Sequence, residues 1–257
     1  MDRKSGNEGK KLRKSRLDHL LLARGLAESR AKAQALILAG RVRVDGMPVT
    51  KAGALVPEGA TVEVLAPATP YVSRGGEKLA AALEHFGVNL QGKVCLDAGA
   101  STGGFTQVLL LGGAARVYAV DVGYGQLDPA LRHDPRVVVL ERTNLRTMPR
   151  EAIPEAVDLV TLDLSFISLT LVLSKILEFL RPGGEILALV KPQFEVGKGR
   201  VGKGGVVRDP ALQQEAVQRV ADCARHLGLR VSDSFPSPLK GPKGNQEYFL
   251  YLKVPGT

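Results

Sequence analysis

The chain has 257 residues, a formal net charge of +9 and a pI near 9.7, values that favour nucleic acid over a membrane as its partner. No apolar stretch approaches the roughly 18–20 residues that span a bilayer. Cys95, Cys223 and the four scattered histidines lack the spacing of a disulfide scaffold or a metal site. We therefore expect a cytoplasmic protein of one or two domains, with reduced cysteines and no metal.

The N-terminal quarter of the chain predicts a basic tail followed by two helices. Residues 1–12 are polar and basic without apolar periodicity, which predicts a disordered tail that either lies along phosphates or only solubilises the chain. Leucines recur at helical spacing from Arg16 onward, and Gly25 is placed to end that helix. Ser29 is the predicted N-cap of a second helix, which ends at Gly40.

The next segment predicts a small antiparallel sheet. From Arg41, the sequence RVRVDGMPV alternates arginine with valine before Asp45-Gly46, a pair that favours a two-residue hairpin turn. The valines are expected to face a core and the arginines solvent. Residues 61–65 (TVEVL) add another short alternating strand.

Residues 16–65 resemble the αL RNA-binding domain of a small-subunit ribosomal protein, many pseudouridine synthases and bacterial tyrosyl-tRNA synthetases. We assign this α+β domain to residues 13–66 and a proline-bearing linker to residues 67–71. The resemblance implies phosphate contacts that position RNA without reading its bases. The alternative to RNA binding is that the basic residues of this domain form an ordinary charged surface exposed to solvent. The predicted RNA-binding residues of this domain are Arg16, Arg30, Lys32, Arg41 and Arg43.

Residues 72–257 alternate strand-like and helical segments, which predicts a doubly wound, mostly parallel sheet with helices on both faces. Asp209 is the expected N-cap of the last helix. Predicted strands are 94–97, 117–122, 137–141, 159–164, 186–191 and 248–252, and predicted helices are 77–86, 105–111, 169–180 and 210–227.

A glycine-rich turn, LDAGASTGGF, follows the first of these strands, where open α/β sheets bind ligands. Position 101 is serine, so the spacing departs from the dinucleotide Gly-x-Gly-x-x-Gly pattern. The turn is similar to the Asp-x-Gly-x-x-x-Gly-Gly form of S-adenosylmethionine enzymes, although a purely structural turn is the alternative. The cofactor-binding residues implied here are Asp97, Gly99, Ala100, Ser101, Thr102, Gly103, Gly104 and Phe105.

Two polar residues after the neighbouring strands extend this predicted cofactor site. Asp121 ends the second strand, at a distance suited to accepting hydrogen bonds from two ribose hydroxyls. A structural turn does not explain two carboxylates, Asp97 and Asp121, at adjacent strand ends. Asn144 follows the third strand, where it is expected either to meet an adenine ring or to cap a turn.

Four charged residues are predicted to converge at the same rim. Asp163 and Lys191 end adjacent strands, Lys78 lies in the first turn of a helix, and Glu247 precedes the last strand. They resemble the Lys-Asp-Lys-Glu tetrad of FtsJ-like ribose methyltransferases, which makes them the predicted catalytic residues and adds Asp163 to the cofactor set. A buried ion-pair network is the alternative.

The implied chemistry is attack by a ribose 2'-hydroxyl, a weak nucleophile that needs orientation and either deprotonation or charge stabilisation. Lys191 is expected to contact the attacking oxygen, with its ammonium held by Asp163 and Glu247. Lys78 is expected to add positive charge that stabilises the forming alkoxide. The sequence leaves open whether Lys191 acts as a base or as an electrostatic guide.

The glycine-rich and basic segment QFEVGKGRVGKGGVVR (residues 193–208) separates Lys191 from the last long helix. We predict either an RNA-clamping lid that uses Lys198, Arg200 and Lys203 or a simple spacer loop. Residues 240–243 (KGPK) would add to the same surface.

Almost the whole chain resembles the TlyA family, also called haemolysin A, through YVSRGGEKL, LDAGASTGGF, DLSFISL and LVKPQFE. The resemblance implies a Rossmann-like class I methyltransferase with a seven-stranded sheet, S-adenosylmethionine as cofactor, and 2'-O-methylation of cytidines in ribosomal RNA. A non-catalytic RNA-binding or assembly protein is the main alternative. A pseudouridine synthase would account for the triplet at residues 16–18 but not for the glycine turn, and a pore-forming haemolysin would need a spanning segment.

Overall fold

The computed structural model describes residues 13–38, 40–65, 69–197 and 199–256. They form two compact units that divide between Pro70 and Tyr71. The predicted basic tail (residues 1–12) and Lys198 of the predicted lid lie outside the described residues.

The first unit packs two helices against short antiparallel strands. Ser29 caps the second helix as predicted, because its Oγ accepts the N–H of Lys32 at 3.2 Å. Asp45 and Gly46 both have positive φ, as a two-residue hairpin requires. The elements are β1 (Lys14–Arg16), α1 (Leu17–Ala23), α2 (Arg30–Leu38), β2 (Val42–Val44), β3 (Met47–Pro48), β4 (Leu55–Pro57) and β5 (Val62–Val64).

Strands β1 and β4 of this unit were not predicted. They pair with each other antiparallel, whereas the predicted strands form a separate sheet in the order β3-β2-β5. Each unpredicted strand has three residues, and β1 (KSR) has no apolar alternation. Its formation depends on a partner about 40 residues away in sequence, so a local pattern does not reveal it.

Asp18 is the buried polar centre of the first unit. Its carboxylate accepts hydrogen bonds from Arg16 Nη2 at 2.9 Å, Gln34 Nε2 at 3.0 Å and Arg30 Nε at 3.3 Å. The hydrogen bonds from Arg16 hold the pKa of Asp18 well below its usual range. Two of the predicted RNA-binding arginines are therefore paired within the domain, although about half of each side chain remains exposed.

The second unit is a layered α/β domain. In the described residues from 69 onward, eight strands form one sheet, seven of them in the order β11-β13-β10-β9-β6-β7-β8, and β12 pairs with β13. The elements are α3 (Gly75–Phe86), β6 (Val94–Ala98), α4 (Gly104–Leu111), β7 (Arg116–Val120), α5 (Pro129–Arg132), β8 (Val137–Leu140), β9 (Val157–Leu162), α6 (Leu173–Leu177), β10 (Leu180–Val190), α7 (Pro192–Glu195), α8 (Pro210–His226), β11 (Arg230–Val231), β12 (Phe235–Pro236) and β13 (Tyr248–Lys253), with 3-10 turns at Arg150–Ala152 and Leu169–Leu171.

Strands β10, β9, β6, β7 and β8 pair in parallel, and β13 adds an antiparallel strand beside β10. This arrangement confirms the predicted Rossmann-like, mostly parallel sheet, in which the short strand β12 adds an eighth strand to the seven that were predicted. Leucine, isoleucine and valine side chains fill both faces of the sheet beneath the helices. None of the described helices is both long and apolar enough to span a membrane.

The predicted helix at residues 169–180 is wrong in extent. The chain there forms a 3-10 turn and the short helix α6, and Leu180 already pairs with Val157 in the sheet. Phe179 is fully buried between these elements. Buried residues recur at helical spacing through the segment, at Leu169, Val172, Leu173 and Ile176, so its apolar pattern resembles that of one longer helix.

Candidate active site

The glycine-rich turn brings the backbone of two strand ends close together. Gly99 has φ +88°, and a Cβ placed there would lie 2.5 Å from the backbone carbonyl oxygen of Asp163. Glycine is therefore required where the ends of β6 and β9 meet. The turn then enters α4 through Gly103, whose φ is +97°. Residues 99–102, 104 and 105 line a cleft, whereas Gly103 does not.

Asp97 lies beneath the glycine turn, where it does not contact either cleft described below. Its carboxylate is fully buried and accepts hydrogen bonds from Thr106 Oγ1 at 2.7 Å and Thr161 Oγ1 at 3.0 Å. Loss of hydration raises its pKa to about 6. Its oxygens bind two hydroxyls that join β6, β9 and α4, and the contact between Asp97 and a ligand stays a prediction.

Asp121 and Asn144 line one side of a cleft of about 500 Å³, here called the aspartate cleft. Asp121 accepts the backbone N–H of Ser101 at 2.8 Å and that of Gly123 at 2.7 Å. Asn144 Oδ1 accepts the N–H of Arg146 at 3.0 Å, so this residue both caps a turn and borders the cleft. The apolar residues that line this cleft include Val120, Val122, Leu145, Ile167 and Val172.

A second cleft, of about 430 Å³, contains all four predicted tetrad residues and is here called the lysine cleft. Asp163 follows β9 and Lys191 follows the parallel neighbour β10. Glu247 precedes β13, whose first residue, Tyr248, pairs with Val190 at the end of β10. The sheet register therefore gathers three of these residues at one rim, and α3 brings Lys78 to the same place.

The tetrad is arranged as two ion pairs. Lys191 Nζ lies 2.6 Å from Asp163 Oδ1, and Lys78 Nζ donates to Glu247 Oε2, also at 2.6 Å. Glu247 was expected to hold the Lys191 ammonium, but no ion pair joins these two residues in the described part of the chain. Glu247 is 1% exposed and Lys78 is 8% exposed, so their pair is nearly enclosed.

The two clefts meet at a common wall. A ligand that lies in the aspartate cleft therefore reaches the Lys191–Asp163 pair without leaving the protein surface. A nucleoside-sized group fits this volume, with its reactive end beside two cationic groups. The residues that border both clefts are Gly99, Ser101, Asp163 and Ser165.

Sequence reasoning missed Ser165 and Phe166, which follow Asp163 directly. Lys191 Nζ donates to Ser165 Oγ at 3.0 Å. Phe166 is 90% exposed with φ +65°, and its ring centroid lies 5.3 Å from that of Phe194. Such an exposed and conformationally unfavourable phenylalanine at a cleft indicates a functional constraint. Their position directly after a strand end, in the segment DLSF, is the sequence feature that could have identified these two residues.

The predicted lid is folded rather than unstructured where it is described. Val196, Val201 and Val207 form a small apolar cluster with α8. Asn245 is buried, accepts the N–H of Val207 at 2.9 Å and donates to the carbonyl oxygen of Gly205 at 2.8 Å, which ties the segment to the chain beside Glu247. The remaining lid residues differ: Arg200 pairs with Glu215, and Lys203 is exposed.

A third cleft, of about 390 Å³, lies under this segment. Its walls include Phe166, Phe194, Lys191 and Glu247. The described residues contain no group of three or more histidine, cysteine, aspartate or glutamate side chains that could hold a metal ion.

Comparison with known proteins identifies both units. The FtsJ-like methyltransferase family matches residues 71–254, and the S4 domain family matches residues 15–62. The 16S/23S rRNA (cytidine-2'-O)-methyltransferase TlyA of Mycobacterium tuberculosis is 54% identical over 94% of this chain and 91% of the relative. Hemolysin A of Brachyspira hyodysenteriae is 42% identical over 93% of this chain and 100% of the relative.

A solved structure of a candidate hemolysin from Streptococcus thermophilus shares the architecture. It is 37% identical, has a TM-score of 0.73, and the match covers 96% of this chain and 91% of that one. The family match spans well over half of the chain, and relatives of more than 40% identity extend over nearly all of it. The chain therefore belongs to the TlyA family of FtsJ-like methyltransferases.

Proposed function

We propose that this chain transfers a methyl group from S-adenosylmethionine to the ribose 2'-hydroxyl of cytidine in ribosomal RNA, with the N-terminal domain docking on the RNA. Ribosomal RNA and cytidine are the substrates named for the Mycobacterium tuberculosis relative. One observation carries the proposal: the Lys191–Asp163 and Lys78–Glu247 pairs line one cleft, and Asp163 belongs to the wall that this cleft shares with a nucleoside-sized cleft.

The residues present fit S-adenosylmethionine. Asp121 uses its carboxylate for two backbone N–H groups and keeps acceptor capacity for ribose hydroxyls, because an ionised carboxylate offers about four lone pairs. Asn144 and Leu145 border the space for an adenine ring. Gly99 and Ser101 of the turn border both clefts, where the methionine portion would lie. When bound, the cofactor supplies an electrophilic methyl group.

The tetrad residues act on the acceptor hydroxyl. Lys191 Nζ, held by Asp163, either receives the proton of the 2'-oxygen or stabilises the negative charge that develops there. Lys78, paired with Glu247, adds a second fixed cation in the same cleft. These groups are positioned before the substrate arrives, so little reorganisation is needed during the reaction.

Several basic residues are available to bind phosphates. In the first unit, Lys32 and Arg43 are exposed, Arg16 and Arg30 keep exposed edges beside Asp18, and Arg41 donates to the carbonyl oxygen of Leu65. In the second unit, the proposed contacts come from the lid and from the KGPK segment. The exposed ring of Phe166 offers a face on which an unstacked base can lie. The lid residues in this proposal are Lys198, Arg200 and Lys203.

A cytoplasmic location follows from this proposal, since ribosomal RNA is the substrate. The test uses the full chain with radiolabelled S-adenosylmethionine and separated ribosomal subunits, followed by mapping of ribose methylation. We expect label at a cytidine 2'-oxygen, and we expect Lys191→Ala to abolish it while the cofactor still binds.

Lys175→Ala is the matched control, because Lys175 pairs with Glu178 away from the clefts. Full activity in Lys191→Ala would remove this residue from the mechanism. RNA binding without cofactor affinity or methyl transfer would instead identify a non-catalytic RNA-binding protein.

A further inference from the structure

Ser165 holds the same ammonium group as Asp163. Its Oγ accepts a hydrogen bond from Lys191 Nζ at 3.0 Å, while Asp163 Oδ1 lies 2.6 Å from the same nitrogen. Ser165 also borders the aspartate cleft, the lysine cleft and the cleft under the lid. It therefore stands where cofactor and acceptor would meet, yet it is outside the four-residue tetrad.

The geometry of an amine explains what Ser165 adds. The nitrogen of lysine has four tetrahedral positions, of which the Cε bond takes one and the hydrogen bond to Ser165 Oγ takes another. The contact with Asp163 Oδ1 has the distance of an ion pair but lacks hydrogen-bond geometry, so it attracts the group without fixing its rotation. The bond to Ser165 fixes rotation about Cε–Nζ, and with it the directions of the other two positions, which hold N–H groups in the ammonium form and include a lone pair in the neutral amine.

The loop that carries Ser165 is tied to the turn that carries Lys191. Glu195, four residues after Lys191, accepts hydrogen bonds from Ser168 Oγ at 2.5 Å and from the backbone N–H of Leu169 at 2.8 Å. Glu195 is 1% exposed, and burial raises its pKa. This link holds the two segments together within a few residues of the contact between Ser165 and Lys191.

We infer that Ser165 is a positioning residue that fixes the rotation of the Lys191 amine and so directs one of its other tetrahedral positions toward the acceptor 2'-hydroxyl. This inference rests on the proposed function. It assigns Ser165 an effect on the rate of the chemical step and no effect on the affinity for either substrate, because the side chain acts through Lys191.

The test compares Ser165→Ala, Ser165→Thr and Ser168→Ala in steady-state and single-turnover methylation of the same ribosomal subunit. For Ser165→Ala we expect kcat and the single-turnover rate to fall about tenfold, the loss typical of one hydrogen bond to a charged group. The KM for RNA and the Kd for S-adenosylmethionine stay within about twofold. Ser165→Thr keeps the hydroxyl and restores most of the rate.

Ser168→Ala is the matched control, because it removes a hydroxyl from the same loop without touching Lys191, and the hydrogen bond from the Leu169 N–H to Glu195 still joins the two segments. We expect it to lower thermal stability while keeping kcat within about twofold of the original chain. An unchanged kcat in Ser165→Ala, or an equal loss in Ser168→Ala, would overturn the inference while leaving the proposed function intact. If the unsubstituted chain transfers no methyl group to a ribose, the proposed function itself fails, and the inference fails with it.

Discussion

The Lys78–Glu247 pair gives a quantitative prediction about the stability of the methyltransferase unit. Its N–O distance is 2.6 Å, and the two side chains are 10% and 1% exposed. Removing one partner leaves the other charge uncompensated in a site with little access to water. We therefore expect each of Lys78→Met and Glu247→Leu to lower the free energy of unfolding, and the double variant to lower it by less than the sum.

The expected size follows from the burial of the pair. Fully enclosed pairs lose about 3–5 kcal/mol when one partner is removed. Lys78 borders an open cleft, and water can reach part of its ammonium, so we expect about 2 kcal/mol for each single variant. The double variant removes both charges and should cost about 1–2 kcal/mol, which corresponds to a coupling energy of roughly 2–3 kcal/mol.

Tyrosine fluorescence during urea unfolding measures this unit selectively. The chain has five tyrosines and no tryptophan, and all five tyrosines lie between residues 71 and 251. The exposed pair Arg225–Asp222 provides the control cycle, with an expected coupling below about 1 kcal/mol. Additive effects at Lys78 and Glu247 would refute the reasoning, because they would show that the two charges do not stabilise each other.

Three further predictions concern groups outside the tetrad. Burial raises the pKa of Asp97 to about 6, so its contribution to the free energy of unfolding is present below about pH 4 and is lost as the pH rises through 6. Asp97→Asn should remove this pH dependence, which is worth roughly 3 kcal/mol. Urea unfolding at pH values from 4 to 8 measures it. The pKa of Asp18 is lowered, so its contribution is present at neutral pH and is lost in acid; Asp18→Asn should weaken amide hydrogen-exchange protection in α1 at pH 7. The double variant Arg200→Ala/Lys203→Ala should weaken RNA binding and reduce the slope of log K against log salt concentration by about one to two units. An unchanged slope would show that the predicted lid does not bind RNA.

Much of the architecture was predictable because local sequence patterns determine it. Apolar strand runs, the Asp45-Gly46 turn and the caps at Ser29 and Asp209 each act within a few residues, and the structure confirms them. The rim that gathers Asp163 and Lys191 was also predictable, since residues that follow adjacent parallel strands meet at one edge of a sheet.

The choice of partners was not predictable from the same patterns. Glu247 follows the expected register beside Lys191, but its carboxylate binds Lys78, whose helix position depends on how α3 packs. Asp97 has the position of a ligand contact, yet two threonine hydroxyls enclose it. Both outcomes depend on side-chain packing between segments that are distant in sequence.

The tetrad carries two positive and two negative groups, so its formal charge is zero when all four are ionised. Each lysine lies 2.6 Å from a carboxylate of opposite charge, so the tetrad exerts little long-range electrostatic attraction on an RNA polyanion. Attraction must come from exposed cations around the cleft, such as Arg74, Lys240 and Lys243. Salt screens those exposed charges far more than the buried pairs. Rising ionic strength should therefore raise the KM for RNA and leave kcat nearly constant, and a parallel fall in kcat would show that the tetrad itself draws the RNA.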